Sequence, residues 1–105
     1  MTRQDLSHGV QTAQSCHAVA EFAYFNHEKF KLWRQKSNYK ICLEATNEKS
    51  LSKLLLKLQD KNVAVSAFYE PDINNELTAI TFVSDPTLDK YTKYFPLVGK
   101  KRTSC

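Results

Sequence analysis

VAVSAFYEPDINNELTAITFV, residues 63–83, is the stretch that decides the fold. Residues 63–69 are apolar or small almost without interruption and close on two aromatic residues. A short run of that kind predicts a strand covered on both faces. Pro71-Asp72-Ile73-Asn74-Asn75 is turn chemistry, because proline presets φ and asparagine tolerates left-handed backbone. Leu77 to Val83 then reads as a second strong strand, rich in β-branched and aromatic residues.

Upstream, Asn47 caps a helix whose apolar positions Leu51, Leu54, Leu55 and Leu58 make one stripe, and Asn62 ends it. Tyr39 to Ala45 alternates as a strand does. His27 to Lys36 is a short helix with Phe30 and Trp33 inward and Lys29, Lys31, Arg34 and Lys36 outward. Ser7 or His8 before Gly9 starts a helix whose pattern runs from Val10 to Phe25. In it Val10, Ala13, Ala20 and Tyr24 form the expected inner stripe, with Cys16, Val19 and Ala23 beside it. Residues 2–6 are a short first strand. Downstream, Asp85-Pro86 breaks the last strand, Asp89 to Tyr94 is a turn or two of helix, and Gly99 to Arg102 is a basic tail. The alternation predicts an α/β fold: a single domain over residues 1–105, three-layer α/β/α, with a four-stranded mixed sheet. Its strands lie near 2–6, 39–45, 63–69 and 77–83.

The composition fits that reading. With 105 residues the chain suits one domain with a modest core, and 42% hydrophobic residues place it among globular proteins. No apolar run approaches the ~20 residues of a membrane span, and the polar start does not resemble a signal peptide. The expected location is the cytoplasm, with no membrane partner. Cys16 and Cys42 fall on expected buried faces, Cys105 is the last residue, and no pair has metal-ligand spacing. No metal and no organic cofactor is expected. A net charge of +4 and a pI near 9.0 permit a polyanionic partner.

Arg3-x-Asp5-Leu6, then Gly9, then Ala13-Gln14-x-x-His17-Ala18 resembles the opening motif of the type II peptidyl-tRNA hydrolases, which read R-x-D-L, a glycine turn and A-A-Q-x-x-H-A. Trp33 followed by Asn38-Tyr39-Lys40-Ile41 resembles that family's W-x-x-x-G-x-x-K-I stretch. Glu70 to Ile80 sits where the family carries D-A-G-R-T and T-V-L-A. The resemblance spans almost the whole chain. It implies hydrolysis of the ester between a peptide and the tRNA 3′ ribose by an activated water. Two departures stand out: the family's functional lysine, four residues before the glutamine, is Val10 here, and the arginine and threonine of D-A-G-R-T are absent. The alternative is a catalytically degraded family member acting as a tRNA- or protein-binding module.

Gln14 and His17 have two readings. They tie the helix start to neighbouring backbone, as buried polar groups must. Otherwise they line a cleft at the carboxyl ends of the strands, where ligands of open α/β sheets sit. The candidate catalytic residues are His17, Glu70, Asp72 and Thr78. One loop carboxylate would deprotonate or orient water, and the Thr78 hydroxyl would donate a hydrogen bond. Lys49, Lys53, Lys57 and Lys61 recur every fourth residue and share a helix face. Lys49, Lys53 and Lys57 with Lys29, Arg34 and Lys36 form the candidate tRNA-binding set, binding phosphates by charge. The expected partner is peptidyl-tRNA, and a homodimer remains an option.

Overall fold

In the computed structural model, residues 1–99 are described. The chain order is β1 (Thr2–Arg3), α1 (His8–Phe25), α2 (His27–Lys36), β2 (Glu44–Ala45), α3 (Glu48–Asp60), β3 (Val65–Glu70), β4 (Glu76–Phe82) and α4 (Asp89–Thr92). The sheet order is β2-β1-β4-β3. β1 and β2 are parallel, the connection running through α1 and α2, while β4 is antiparallel to both β1 and β3. This is the expected four-stranded mixed sheet. α1 packs on β3 and β4 from one side, and α3 packs on the other, contacting all four strands. No helix among the described residues is long and apolar enough to cross a membrane.

The 63–83 segment folds as an antiparallel pair joined by a 3₁₀ turn at Pro71–Ile73, with Asn74 and Asn75 at φ 59° and 57°. β4 is one of the two inner strands, and Leu77 to Ile80 are all buried. β3 departs from the expectation of two covered faces: it is an edge strand in which only Ser66 is buried. Val63, Val65 and Ala67 pack against the core under α3, Phe68 stacks on His17 of α1, and Tyr69 is half exposed.

α3 matches its pattern. Asn47 and Ser50 form a reciprocal capping box, and Leu51, Leu54, Leu55 and Leu58 are buried against Leu77, Ile80, Ala45 and Leu88. Each buried leucine contributes about 1.5–3 kcal/mol. Asn62 ends the turn in left-handed backbone at φ 59°.

The first helix corrects its expected inner stripe. Ser7 caps it, accepting from the Val10 N–H, but the buried face is Gln11, Gln14, Ala18 and Phe22. Val10, Ala13, Ala20 and Tyr24 face outward, as does Cys16, and Cys42 is half-buried. Two glutamines occupy apolar-stripe positions because polar groups of the sheet bind them, so hydropathy alone selects the wrong face. Cys105 and the basic tail beyond Gly99 lie outside the described residues.

β1 and β2 are two residues each, shorter than 2–6 and 39–45. The register explains β2. Thr2 is opposite Glu44, so residues 39–42 have no partner in β1. Tyr39 and Ile41 are exposed there, and Leu43 bridges instead to Leu97. α2 buries no residue, and Phe30 and Trp33 are only half covered.

Candidate functional site

The register of the β3–β4 pair shifts between Phe68 and Tyr69: Phe68 faces Ala79, while Tyr69 faces Leu77. Thr78 is the extra residue of a β-bulge, a device that re-aims a side chain. Leu77 and Ile80 both join the core under α3, whereas Thr78 turns the other way, toward α1. Its hydroxyl is fully buried, 2.7 Å from Gln14 Oε1 and 3.2 Å from the Phe68 carbonyl, and donates to these acceptors. Its carbonyl accepts from the Thr2 hydroxyl at 2.9 Å.

Gln14 sits between two elements. With Oε1 held by Thr78, its Nε2 points to Glu70 Oε1 at 3.4 Å. That contact is long for a hydrogen bond, so a water or substrate atom can replace it at little cost. Glu70 closes β3 and is half-exposed. One turn along α1, the exposed His17 ring stacks on Phe68, 4.6 Å between centroids. The structure thus joins Thr78, Gln14 and Glu70 in one hydrogen-bonded chain, with His17 beside it. Asp72 is apart: it is exposed in the 3₁₀ turn, with no hydrogen-bond or ion-pair partner among the described residues.

Behind this chain lies a second polar cluster. Arg3 holds Asp5 through two nitrogens at 2.8 and 2.9 Å, Glu76 at 2.7 Å and the Leu77 carbonyl at 3.1 Å. The hydrogen bond to Asp5, ahead of that to Glu76, raises the guanidinium's pKa although burial opposes this. The same bond from Arg3 holds the Asp5 carboxyl below its ordinary value. Gln11 donates to the Arg3 carbonyl at 2.7 Å and to Glu44 Oε2 at 2.9 Å, both buried. These contacts brace the end of β1 against the start of β4, which fixes where Thr78 begins. The Arg3 and Asp5 of the opening motif are therefore bound up in the fold.

Sequence reasoning flagged Gln14 but left its role open, and it missed Gln11 and Glu44 altogether. Two glutamines three residues apart on a helix start were the available signal. Val10, one turn before Gln14, is 40% exposed on the first turn of α1.

The basic residues divide into two sets. Lys29, Arg34 and Lys36 are exposed on α2, which packs against α1. Lys49, Lys53, Lys57 and Lys61 are exposed on α3, across the sheet, where the Lys57 ammonium lies 5.5 Å from the Tyr91 ring. The two sets lie on helices on opposite sides of the sheet, and α2 packs on α1, the helix that carries Gln14.

The family model described as peptidyl-tRNA hydrolase PTH2 matches residues 1–98. No curated protein matches the chain significantly. A match of that extent takes in β1, the bulge, the Gln14 cluster and all four helices, and by it the chain belongs to the peptidyl-tRNA hydrolase PTH2 family.

Proposed function

We propose that the peptidyl-tRNA-hydrolase-like function conferred by family membership runs through Glu70 and Gln14, with Thr78 and His17 as positioning residues. The carrying observation is the hydrogen-bonded chain from Thr78 through Gln14 to Glu70. Ester hydrolysis needs a base for water and a donor for the developing oxyanion. Glu70 is the base: its carboxylate takes one proton from a water held in the cleft. The resulting hydroxide attacks the ester carbonyl. Gln14 Nε2 carries two hydrogens and donates to the oxygen on which charge grows. Collapse of the intermediate breaks the bond to the ribose 3′ oxygen, and that oxygen takes the proton back from Glu70.

Thr78 is too buried to meet substrate. Its hydroxyl fixes the Gln14 carbonyl end, so that the amide N–H end faces Glu70. His17, stacked on Phe68, walls the cleft on the α1 side. Asp72 has no part in this chemistry beyond the local field. The tRNA approaches on the α2 side, meeting Lys29, Arg34 and Lys36, because α2 packs on α1, the helix that carries Gln14.

The test is hydrolysis of a purified N-acetyl-aminoacyl-tRNA and a purified peptidyl-tRNA by the whole chain. A family member that retains the lysine serves as positive control. Release of free tRNA that depends on Glu70 supports the reading. Binding of tRNA without cleavage of either substrate overturns it in favour of a binding module.

A further inference from the structure

β3 ends at Glu70, so its free edge leads away from the proposed catalytic carboxylate. The edge is open. The other edge of the sheet, at β2, is covered by the chain after α4: Glu44 N–H donates to the Pro96 carbonyl and Val98 N–H to that of Cys42, both at 2.9 Å. No described segment covers β3 in this way.

Which backbone groups point outward follows from the register. The N–H of Ile80 donates to the Met1 carbonyl, so Ile80 faces β1 and its partner Ala67 makes no ladder bond to it. The Phe68 carbonyl accepts from Thr78 on β4, so Phe68 faces inward. Backbone direction alternates along a strand. Val65, Ala67 and Tyr69 therefore present their N–H and C=O groups to the free edge, away from the ladder to β4. From Val65 to Tyr69 the edge carries neither charge nor proline, the usual guards against added strands. A groove of 590 Å³ lies against its first residues, lined by Val63 to Ala67 with Glu21, Phe25 and Asn26 from the end of α1 and Gln59 and Asn62 from the end of α3.

Resting on the hydrolase reading, we propose that this edge binds the peptide part of the substrate as an added strand. A hydrolase acting on peptides of any sequence must recognise what all peptides share, and that is the backbone. A strand edge reads backbone through main-chain hydrogen bonds. The direction is set by the chemistry: the esterified carbonyl lies at Glu70 and earlier residues lie toward Val63, so the peptide runs parallel to β3. Ala67 is three residues from Glu70, about 10 Å at ~3.3 Å per residue. Edge contacts therefore begin at Tyr69, beside the ester, and at Ala67 they reach the substrate residue about three positions before it.

The experiment compares kcat/KM for N-acetyl-alanyl-tRNA with that for the N-acetyl-tetraalanyl and N-acetyl-hexaalanyl forms. The expected result is a several-fold rise between one and four residues and a plateau by six. Ala67→Pro deletes an outward N–H and no ladder bond, a position where proline is tolerated. It is expected to abolish the length preference while leaving the single-residue substrate within about twofold. Backbone N-methylation of the tetraalanyl chain, on unaltered protein, should remove the preference equally. Equal kcat/KM for all lengths, or a length preference untouched by both changes, overturns the proposal. If no substrate is cleaved, the hydrolase reading fails instead. Amide NMR shifts at Val65 and Ala67 with tetraalanyl-3′-amino-adenosine then decide the edge on its own: movement there keeps it as a peptide site, and none sinks it.

Discussion

The Thr78 hydroxyl donates to Gln14 Oε1 across 2.7 Å, and it reaches α1 only because a bulge places one extra residue in β4. Thr78→Val keeps the shape and deletes the donor, leaving a buried amide oxygen without its partner. Such a loss costs about 1–3 kcal/mol. The variant is expected to lose stability in urea unfolding and to lower kcat by about tenfold, since Gln14 is no longer oriented. Thr78→Ser restores the hydroxyl and is expected to recover most of kcat. Equal kcat in the valine and serine variants would separate Thr78 from the chemistry.

The two loop acids are distinguished by partner. Glu70 touches Gln14 at 3.4 Å, while Asp72 is exposed and outside the cluster. Glu70→Gln removes the base and is expected to reduce kcat by roughly 10²–10⁴, the range for general-base catalysis. Asp72→Asn should leave kcat within about twofold. Single-turnover rates with peptidyl-tRNA measure both. A larger effect at Asp72 than at Glu70 would reverse the assignment.

How much of this was legible beforehand depends on what each signal measures. The leucine stripe of α3 and the strands of 63–83 could be read because periodicity reports burial directly where the buried groups are apolar. The α1 face could not, since Gln11 and Gln14 are buried by partners 33 and 64 residues away in sequence. The brevity of β2 was hidden as well, because strand propensity at Tyr39 to Cys42 cannot show that β1 pairs only with Glu44 and Ala45. Thr78 was readable as a candidate through the family resemblance. The bulge that aims it arises from pairing register and leaves no local mark in composition.

Arg3 and Asp5 give the fold an acid-sensitive arm. Arg3 holds the Asp5 carboxyl below its unfolded value of 3.8, so the bond stabilises the fold above that pH. The contribution fades as pH falls through the folded pKa. Asp5 is 42% exposed, so solvent screening keeps it under about 1 kcal/mol. Asp5→Asn is expected to lower the urea midpoint slightly at about pH 7, with the gap to the parent closing as pH falls through the folded pKa of Asp5. A gap that widens toward acid would contradict this sign.

Charge on the two helical faces is separable by salt dependence. Reversing Lys29, Arg34 and Lys36 together on α2 is expected to weaken tRNA binding and flatten the log K against log salt slope by about one unit per lost phosphate contact. Reversing Lys53 and Lys57 on α3, across the sheet from Gln14, should change the slope by less. Helix content from circular dichroism checks that neither variant unfolds. A larger change from α3 would place the tRNA on the far face and require a different route to Glu70.

Val10 is the position at which gain of activity is expected. It lies one helical turn before Gln14 and is 40% exposed, so a lysine there keeps its ammonium solvated and disturbs no packing. α1 has no acidic residue in its first turn, so no local carboxylate neutralises an added cation there. The helix N-terminus disfavours positive charge by about 0.3–1 kcal/mol, a modest stability cost. In exchange, the ammonium on this turn adds positive charge beside the cleft, where negative charge grows on the ester oxygen during attack. Such stabilisation acts in the transition state more than in the ground state and therefore raises kcat. Val10→Lys is expected to increase kcat about tenfold with little change in urea midpoint, and Val10→Met, of similar length without charge, to leave it unchanged. Were the methionine variant to match the lysine variant, the gain would come from side-chain bulk and not from charge.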